Sequence, residues 1–585
     1  MKLGAALLLM AVAPALRAQT VCGPVAVGEP CEITFALTAQ EAAANPYRAL
    51  DLSVEFRGPS HQTYLTAAFW DGGTVMKARI EPEEPGAWDY RVSGNLARFE
   101  GKAGTFQVKA SSARGFVQPA NVFHFWTMPG KQPHLWMGAV APAGLDAAAF
   151  ESLAVVRQAQ HFTHLRIAIL GGAGGERVFE KGDLVQPGWF QKVDAAVLAA
   201  NRHGMTADLL IAGAENQLTR IFPEHEQRER YVRFLCARYS GLNITWQGVD
   251  RFETYANGRE LLLELAPLFQ QWDGYHHPLS TGVQVSSAAL LGDHWMKYLT
   301  YRTADATLGA VERQFYAMPA INDFNGDGNT DADTFRHRLW NAAMTGQYPE
   351  ATVPNERAAQ FLKIWYEFFA QTRHWELAPF FDVDGGRALA LDDVEYIVYV
   401  EKPGPVELRL DQKRKFDIRW LNPVTGESVE FKPDKSDKIQ GTPPDSAHDW
   451  VLYVSREGRK ASMAKSYYFE SHTPDVQEID ADPAKLPFTL ALPAAADSIS
   501  ASHATPYRIT LKRETRASKA MQYVITGEVT ADGQGSRVLA TGAQGVLTIP
   551  ANLTQRYPAL LHLRIEAVNG VGKAYSFDQN FNLTP

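Results

Sequence analysis

Between residues 50 and 110 apolar and polar side chains alternate. Ala78-Arg79-Ile80-Glu81 and Trp88-Asp89-Tyr90-Arg91-Val92 have the two-residue period of strands with one buried face. Gly and Pro cut the region into the runs LDLSVEFRGP, TYLTAAFWDGG, VMKARIEPEEPGAWDYRVSG and GTFQVKA. Residues 19–126 are therefore predicted to form an immunoglobulin-like β-sandwich. From about 130 the period changes. Eight short apolar runs, HLWMGAV, HLRIAIL, TADLLIA, NITWQGV, PLSTGV, YLTYRT, MPAIND and GQYPEA, alternate with longer stretches. Several of those stretches are amphipathic at helical spacing, as in the segment from Tyr231 to Tyr239, GRELLLELAPLFQQW and NERAAQFLKIWYEFFAQTR. Eight βα repeats in ~250 residues predict a (β/α)8 TIM barrel over 127–383. The structural rival is a doubly wound open sheet, but no Gly-rich phosphate loop opens the helix after the first strand. GGAGGE (Gly171 to Glu176) lacks that spacing and reads as a loop at the barrel mouth. Strand alternation returns in RALALDDVEYIVYVE, PVELRLD, FDIRWLNPVTGES and DWVLYVS, then resumes after TPDVQEIDADPAKLPF. Residues 384–472 and 473–585 are each predicted to form a small β-sandwich.

The N-terminus changes the picture of where this fold works. Met1-Lys2 precedes an apolar run from Leu3 to Leu16, too short for a bilayer span of ~20 residues, and small residues follow. That layout predicts a secretory signal peptide over 1–18, cleaved after Ala15 or Ala18, and a secreted or periplasmic mature chain. Cys22 and Cys31 flank the turn-rich GPVAVGEP and can close a small loop in an oxidising compartment, while Cys236 sits in an amphipathic helix as a buried thiol. The net charge of −8 leaves no general attraction for phosphate backbones or anionic lipid, so nucleic acid and membrane partners are disfavoured.

Several runs look familiar. FRGP, AFWDGG and ARIEPEEPGAWDYR resemble the immunoglobulin-like N-terminal domain of bacterial secreted glycoside hydrolases. YVRFLCARYSGLNITW, GYHHPLSTG and FRHRLWNAAMTGQYPEA resemble parts of the clan-A-like barrel that follows it, whose best-known relatives are the apiosidase-like enzymes. EYIVYVEKPGPVELRL, WLNPVTGE and DWVLYVS resemble the family's small sandwich of the collagen-binding-domain type. The resemblance spans roughly residues 50 to 455, in the family's order. It implies a carbohydrate substrate and catalytic carboxyls after the fourth and seventh strands.

Glycoside hydrolysis needs two carboxyls flanking the scissile bond. In a (β/α)8 barrel they stand at the C-terminal strand ends. Here Asp250 follows the fourth strand and Asp323 the seventh, which makes Asp250 the general acid/base and Asp323 the nucleophile or base. The chain departs from the family pattern by one position at both sites, where Arg251 and Phe324 stand in place of carboxylates. Either both loops are a residue shorter, or both carboxylates are lost and the aspartates cap the next helices. Glu253 is a third catalytic candidate. Arg251 beside Asp250 favours its charged form, which suits a base better than an acid.

A second motif overlaps the seventh strand. Asp323, Asn325, Asp327, Asn329 and Asp331 place oxygen ligands at alternate positions around a glycine, as a Ca2+ loop does, although position twelve is Thr334. The other reading is an Asp/Asn/Gly turn capping a helix. No cofactor beyond this calcium is expected. His164, Arg166, Glu215, Trp246, Arg302, Gln347 and Tyr348 are predicted to line the sugar site, with aromatic faces and hydroxyl-binding groups. Two arginines there would also suit an acidic sugar. No HExxH, CxxC, GxSxG or P-loop spacing offers another chemistry. The sequence thus predicts a secreted glycoside hydrolase. The alternative is a catalytically inactive barrel that binds carbohydrate or serves as a scaffold.

Overall fold

The computed structural model describes residues 19–585 except 121, 172–177, 181–183, 325–329, 411–414, 433–437, 457–477 and 494–497. The eight apolar runs form one parallel sheet. Its strands are β1 (Gly138–Val140), β2 (His164–Ala168), β3 (Thr206–Ala212), β4 (Ile244–Val249), β5 (Leu279–Ser280), β6 (Leu299–Tyr301), β7 (Ala320–Phe324) and β8 (Gln347–Ala351). They lie in the order β5-β4-β3-β2-β1-β8-β7-β6. The two ends meet without a ladder, but the Lys297 N–H donates to the Leu279 carbonyl at 2.9 Å and the Ser280 hydroxyl to the Tyr298 carbonyl at 2.7 Å, so the barrel is nearly closed. Strands such as β4 are buried along their whole length because the barrel interior covers one face and helices the other.

The helix Gly258–Trp272 shows why the repeats hold. Leu261, Leu262, Leu265, Leu268 and Phe269 recur at helical spacing and are buried against the strands. The fifth repeat departs from the expected rhythm. Between β5 and β6 the chain makes only a 3-10 helix, Ala288–Asp293. Ser286-Ser287 and Gly292 bracket an apolar run too short for several α-turns. A cavity of about 360 Å³ opens beside it, outside the barrel, lined by Leu263, Gln270, His276, His294, Trp295 and Lys297.

The N-terminal region packs a four-stranded and a five-stranded sheet on one core that includes Ile33, Phe35, Val54, Phe56, Trp88 and Val92. Cys22 and Cys31 are joined by a disulfide there. Arg238, fully buried in the helix His225–Tyr239, donates to Asp194 at 2.7 Å and to Asp71 of the N-terminal sheet at 2.6 Å, which ties sandwich to barrel. A three-stranded meander (Gly115–Ala120, His124–Pro129, Gln132–His134) runs across the boundary predicted at 126/127. It belongs with the barrel floor, because Phe125 packs on Trp136, Tyr298 and Tyr348 at the N-terminal strand ends.

Two further pairs of sheets follow the barrel, each a six-stranded sheet with a three-stranded one. The last pair reaches back to the barrel mouth, where Asn552 donates to the Glu253 carbonyl at 2.6 Å. Among the described residues no helix is long and apolar enough to cross a membrane.

Candidate active site

Strand alternation aims Arg166, Asp208, Thr245 and Glu350 into the barrel. Arg166 is their hub. Its Nε donates to Asp208 at 2.7 Å and its Nη1 to Asp323 at 2.9 Å, and all three side chains are buried. Thr245 donates to the other Asp208 oxygen at 2.8 Å. Glu350 lies one strand over from Asp323 in the β7–β8 register, accepts from Trp136 Nε1 at 2.9 Å and is 4.0 Å from Arg166. Burial pushes the Glu350 carboxyl up to about 8; Arg166 opposes this, while Asp208 and Asp323 reinforce it. Gly138 on β1 makes room for it, since a Cβ there would sit 1.9 Å from a Glu350 oxygen.

Above this layer Asp250 and Asp323 converge. Nη2 of Arg302, the residue after β6, donates to Asp250 Oδ1 at 2.7 Å and to Asp323 Oδ2 at 2.8 Å. The two oxygens are therefore no further apart than those bonds laid end to end. That upper bound lies below the ~6.5–9.5 Å of an inverting glycosidase pair and is compatible with the ~5–5.5 Å of a retaining one. Asp323 is fully buried, whereas Asp250 and Arg302 keep some exposure at the rim. The Asp250 N–H is fixed by the Ala212 carbonyl of β3. Arg251 turns left-handed at φ 50°, a conformation costly for a side chain with a Cβ. That turn leaves Arg251 Nε 3.4 Å from the other Asp250 oxygen and its Nη2 3.8 Å from Glu215, which is well exposed. Asp250 thus has a guanidinium on each side.

Glu253 has a different setting. It is buried in the 3-10 helix Phe252–Thr254, and both its oxygens accept from the Gln284 N–H at 3.1 Å. Burial pushes its carboxyl up, opposed by those backbone bonds and by Arg537 and Arg302.

Of the predicted sugar-site residues, Arg166, Arg302 and Glu215 stand with the two aspartates, and four do not. Trp246 faces outward, packs on Phe269 and donates to Asp273 at 2.9 Å, in the layer between strands and helices. Gln347 begins β8 and accepts from Asn322 at 2.7 Å. Tyr348 reaches down to His124 in the floor meander at 2.8 Å. His164 opens β2 at the N-terminal end, stacks on Trp136 at 3.4 Å and meets His134 at 2.8 Å; burial holds it well below the usual imidazole range. The reason is common to all four. A strand apolar on both faces does not disclose which positions point inward or how high they sit.

Asn325, Asp327 and Asn329 of the calcium motif lie outside the described residues. Of its two described members, Asp323 is held by two guanidinium groups and Asp331 caps the helix Ala332–Ala343, accepting from the Asp333 and Thr334 N–H groups. Among the described residues no cluster of three or more His, Cys, Asp or Glu is arranged to hold a metal. Asp208 and Glu350 were missed by sequence reasoning. The available signal was their carboxyls inside otherwise apolar strand runs, TADLLIA and GQYPEA.

Comparison with known proteins adds to this geometry. Residues 27–95 match the model of a domain of unknown function, DUF5060. None of the curated proteins matches the sequence. A solved structure from Bacteroides vulgatus ATCC 8482, provisionally classed as a glycoside hydrolase, is similar at 17% identity and a TM-score of 0.62, over 74% of this chain and all of that one. A family 5 glycoside hydrolase from the same organism is similar at 14% identity and a TM-score of 0.51, over 59% of this chain and 94% of that one. At these identities the likeness is one of fold: this chain has a barrel architecture shared with glycoside hydrolases.

Proposed function

We propose that this chain is a retaining glycoside hydrolase that uses Asp323 as nucleophile and Asp250 as general acid/base. The observation that carries the reading is the meeting of two carboxylates at the C-terminal ends of β4 and β7, closer together than an inverting pair stands. Asp323 is the deeper of the two and has Arg166 and Arg302 as counterions, the setting of a carboxylate that attacks as an anion. Asp250 is nearer solvent; in this reading it protonates the leaving oxygen only after Arg302 has moved aside, and then activates water for the second step. Glu215 and Arg251 line the rim beside it. Residues 1–18 act as an export signal in this reading, and the Cys22–Cys31 disulfide is in keeping with an oxidising destination. In this reading the N-terminal pair of sheets serves as the immunoglobulin-like module of the family the sequence resembles.

The test is hydrolysis of a panel of plant and microbial polysaccharides by the parent, Asp250→Asn and Asp323→Asn. Losses of at least ~10²-fold are expected in both variants. Asp250→Asn should recover on aryl glycosides with good leaving groups when azide is added, because the first step then needs no acid and azide attacks the glycosyl-enzyme in the second without a base, giving the glycosyl azide. An Asp250→Asn protein with full activity, or a parent that cuts nothing on the panel, would overturn the assignment.

A further inference from the structure

In the arrangement described, Arg302 Nη2 occupies the space between Asp250 and Asp323. A glycosidic oxygen has to enter that same space for one carboxyl to protonate it while the other attacks the anomeric carbon. Arg302 must therefore swing out before the proposed hydrolysis can begin. Its departure strips two carboxylates of a shared counterion and leaves a guanidinium without partners in a site that is mostly buried, a costly change unless another anion receives it. The hydroxyls of a neutral sugar cannot supply that charge. A sugar carboxylate can, since its planar pair of oxygens matches the guanidinium fork, of which the two aspartates now share only Nη2.

Two further observations point the same way. Arg302 Nε is buried with no hydrogen-bond partner among the described residues, and buried Arg251 Nε makes only the 3.4 Å ion pair with Asp250. Arg251 is held at the rim in its left-handed turn, 39% exposed, on the side of Asp250 opposite Arg302. A carboxylate entering beside Asp250 would find donors from both arginines.

We propose that the substrate is an acidic glycan, and that a uronate carboxylate next to the scissile bond opens the site by drawing Arg302 off the two aspartates onto itself. This inference rests on the hydrolase reading of the same site and goes further by naming the substrate class. Its test is binding, measured by calorimetry at low and high salt, of the full-length protein to oligomers of polygalacturonate, alginate and glucuronoxylan. Each is paired with its carboxyl-reduced counterpart, and a sulfated galactan is included. The expected result is at least one uronate oligomer bound ~10-fold or more tightly than its reduced partner, with the difference shrinking as salt rises. Arg302→Met and Arg251→Met should each erode that preference, and a thermal melt checks that they fold, with Arg302→Lys as a milder variant. The proposal is overturned if no uronate oligomer binds, if a reduced or sulfated chain binds best, or if the folded arginine variants keep the full preference. The outcomes also separate the two readings. Uronate binding without cleavage would remove the hydrolase and leave this proposal, whereas cleavage of a neutral glycan that is lost in Asp250→Asn would do the reverse.

Discussion

Arg166 sits among three carboxyls. It is buried with Asp208 and Asp323 in direct contact and Glu350 4.0 Å away. Removing it leaves Asp208 buried without its cation and Asp323 with Arg302 alone, which costs ~3–5 kcal/mol. Arg166→Met is therefore expected to lose stability of that order in urea denaturation. Arg302→Met, whose partner Asp250 retains Arg251 at the rim, should lose clearly less. Equal losses would mean that the buried hub is not electrostatically special. Glu253 gives a second residue-scale prediction. Its oxygens hold the Gln284 N–H rather than facing Asp323, so Glu253→Gln should keep hydrolysis within a few-fold of the parent while Asp250→Asn loses ~10² or more. A Glu253→Gln protein as inactive as Asp250→Asn would move the acid/base role to Glu253. The sequence marks Asp250 and Asp323 because each stands near the end of a short, mostly apolar run, whatever the facing of the strand. It does not mark Asp208, Glu350 or the outward turn of Trp246, since these depend on the inward phase of strands buried on both faces.

At the scale of elements, the helix Ala306–Phe315 meets the strand Ala559–Val568 of the C-terminal sandwich through two buried carboxyls. Burial pushes Glu312 up to about 8, with Glu566 adding to the effect and Ser286 and Tyr301 opposing it. Glu566 is pushed up to about 7 by burial, while Tyr316, which donates to it, and Arg564 pull it down. Both folded values lie above the ordinary 4.5, so in this window the folded chain holds protons that the unfolded chain has released. Stability from this contact is complete below about pH 4.5 and is lost as pH rises through 7 to 8. The melting temperature should therefore fall between pH 5.5 and 8.5, and Glu312→Gln, which mimics the protonated form, should flatten the fall with little change at pH 5.5. A variant whose melting falls as steeply as the parent's would show that this contact does not set the slope. All eight strands and the helix Gly258–Trp272 were legible as elements, because their apolar spacing is unbroken. The shortened fifth repeat was not. Ala288, Leu290 and Leu291 supply helix-like apolar positions, and the short span between Ser286-Ser287 and Gly292 that limits them to one 3-10 helix was passed over.

At the scale of the molecule, the C-terminal sandwich behaves as part of the barrel wall. Val524 and Val568 belong to the same continuous apolar core as the barrel, while Leu561, Ile565, Tyr523 and Phe581 make a core of the sandwich's own. Thr541 donates to Asp305 at 2.5 Å, the Arg537 guanidinium sits 5.2 Å from the Phe252 ring, and Asn552 holds the Glu253 carbonyl. The last two contacts bear on the loop that carries Asp250. A unit joined by shared apolar packing loses its partner's burial when the partner unfolds, so neither should outlast the other. Differential scanning calorimetry of the parent is expected to show barrel and C-terminal sandwich melting together in one transition. A chain ending at residue 477 should melt several degrees lower, because helix Ala306–Phe315 would face water. Since Asn552 reaches the catalytic loop without entering the shared core, Asn552→Ala should leave the melting temperature close to the parent's and lower kcat of the proposed hydrolysis by loosening Asp250. Two well-separated transitions in the parent, or an Asn552→Ala protein with unchanged kcat, would show the sandwich to be an appended module with no part in holding the site.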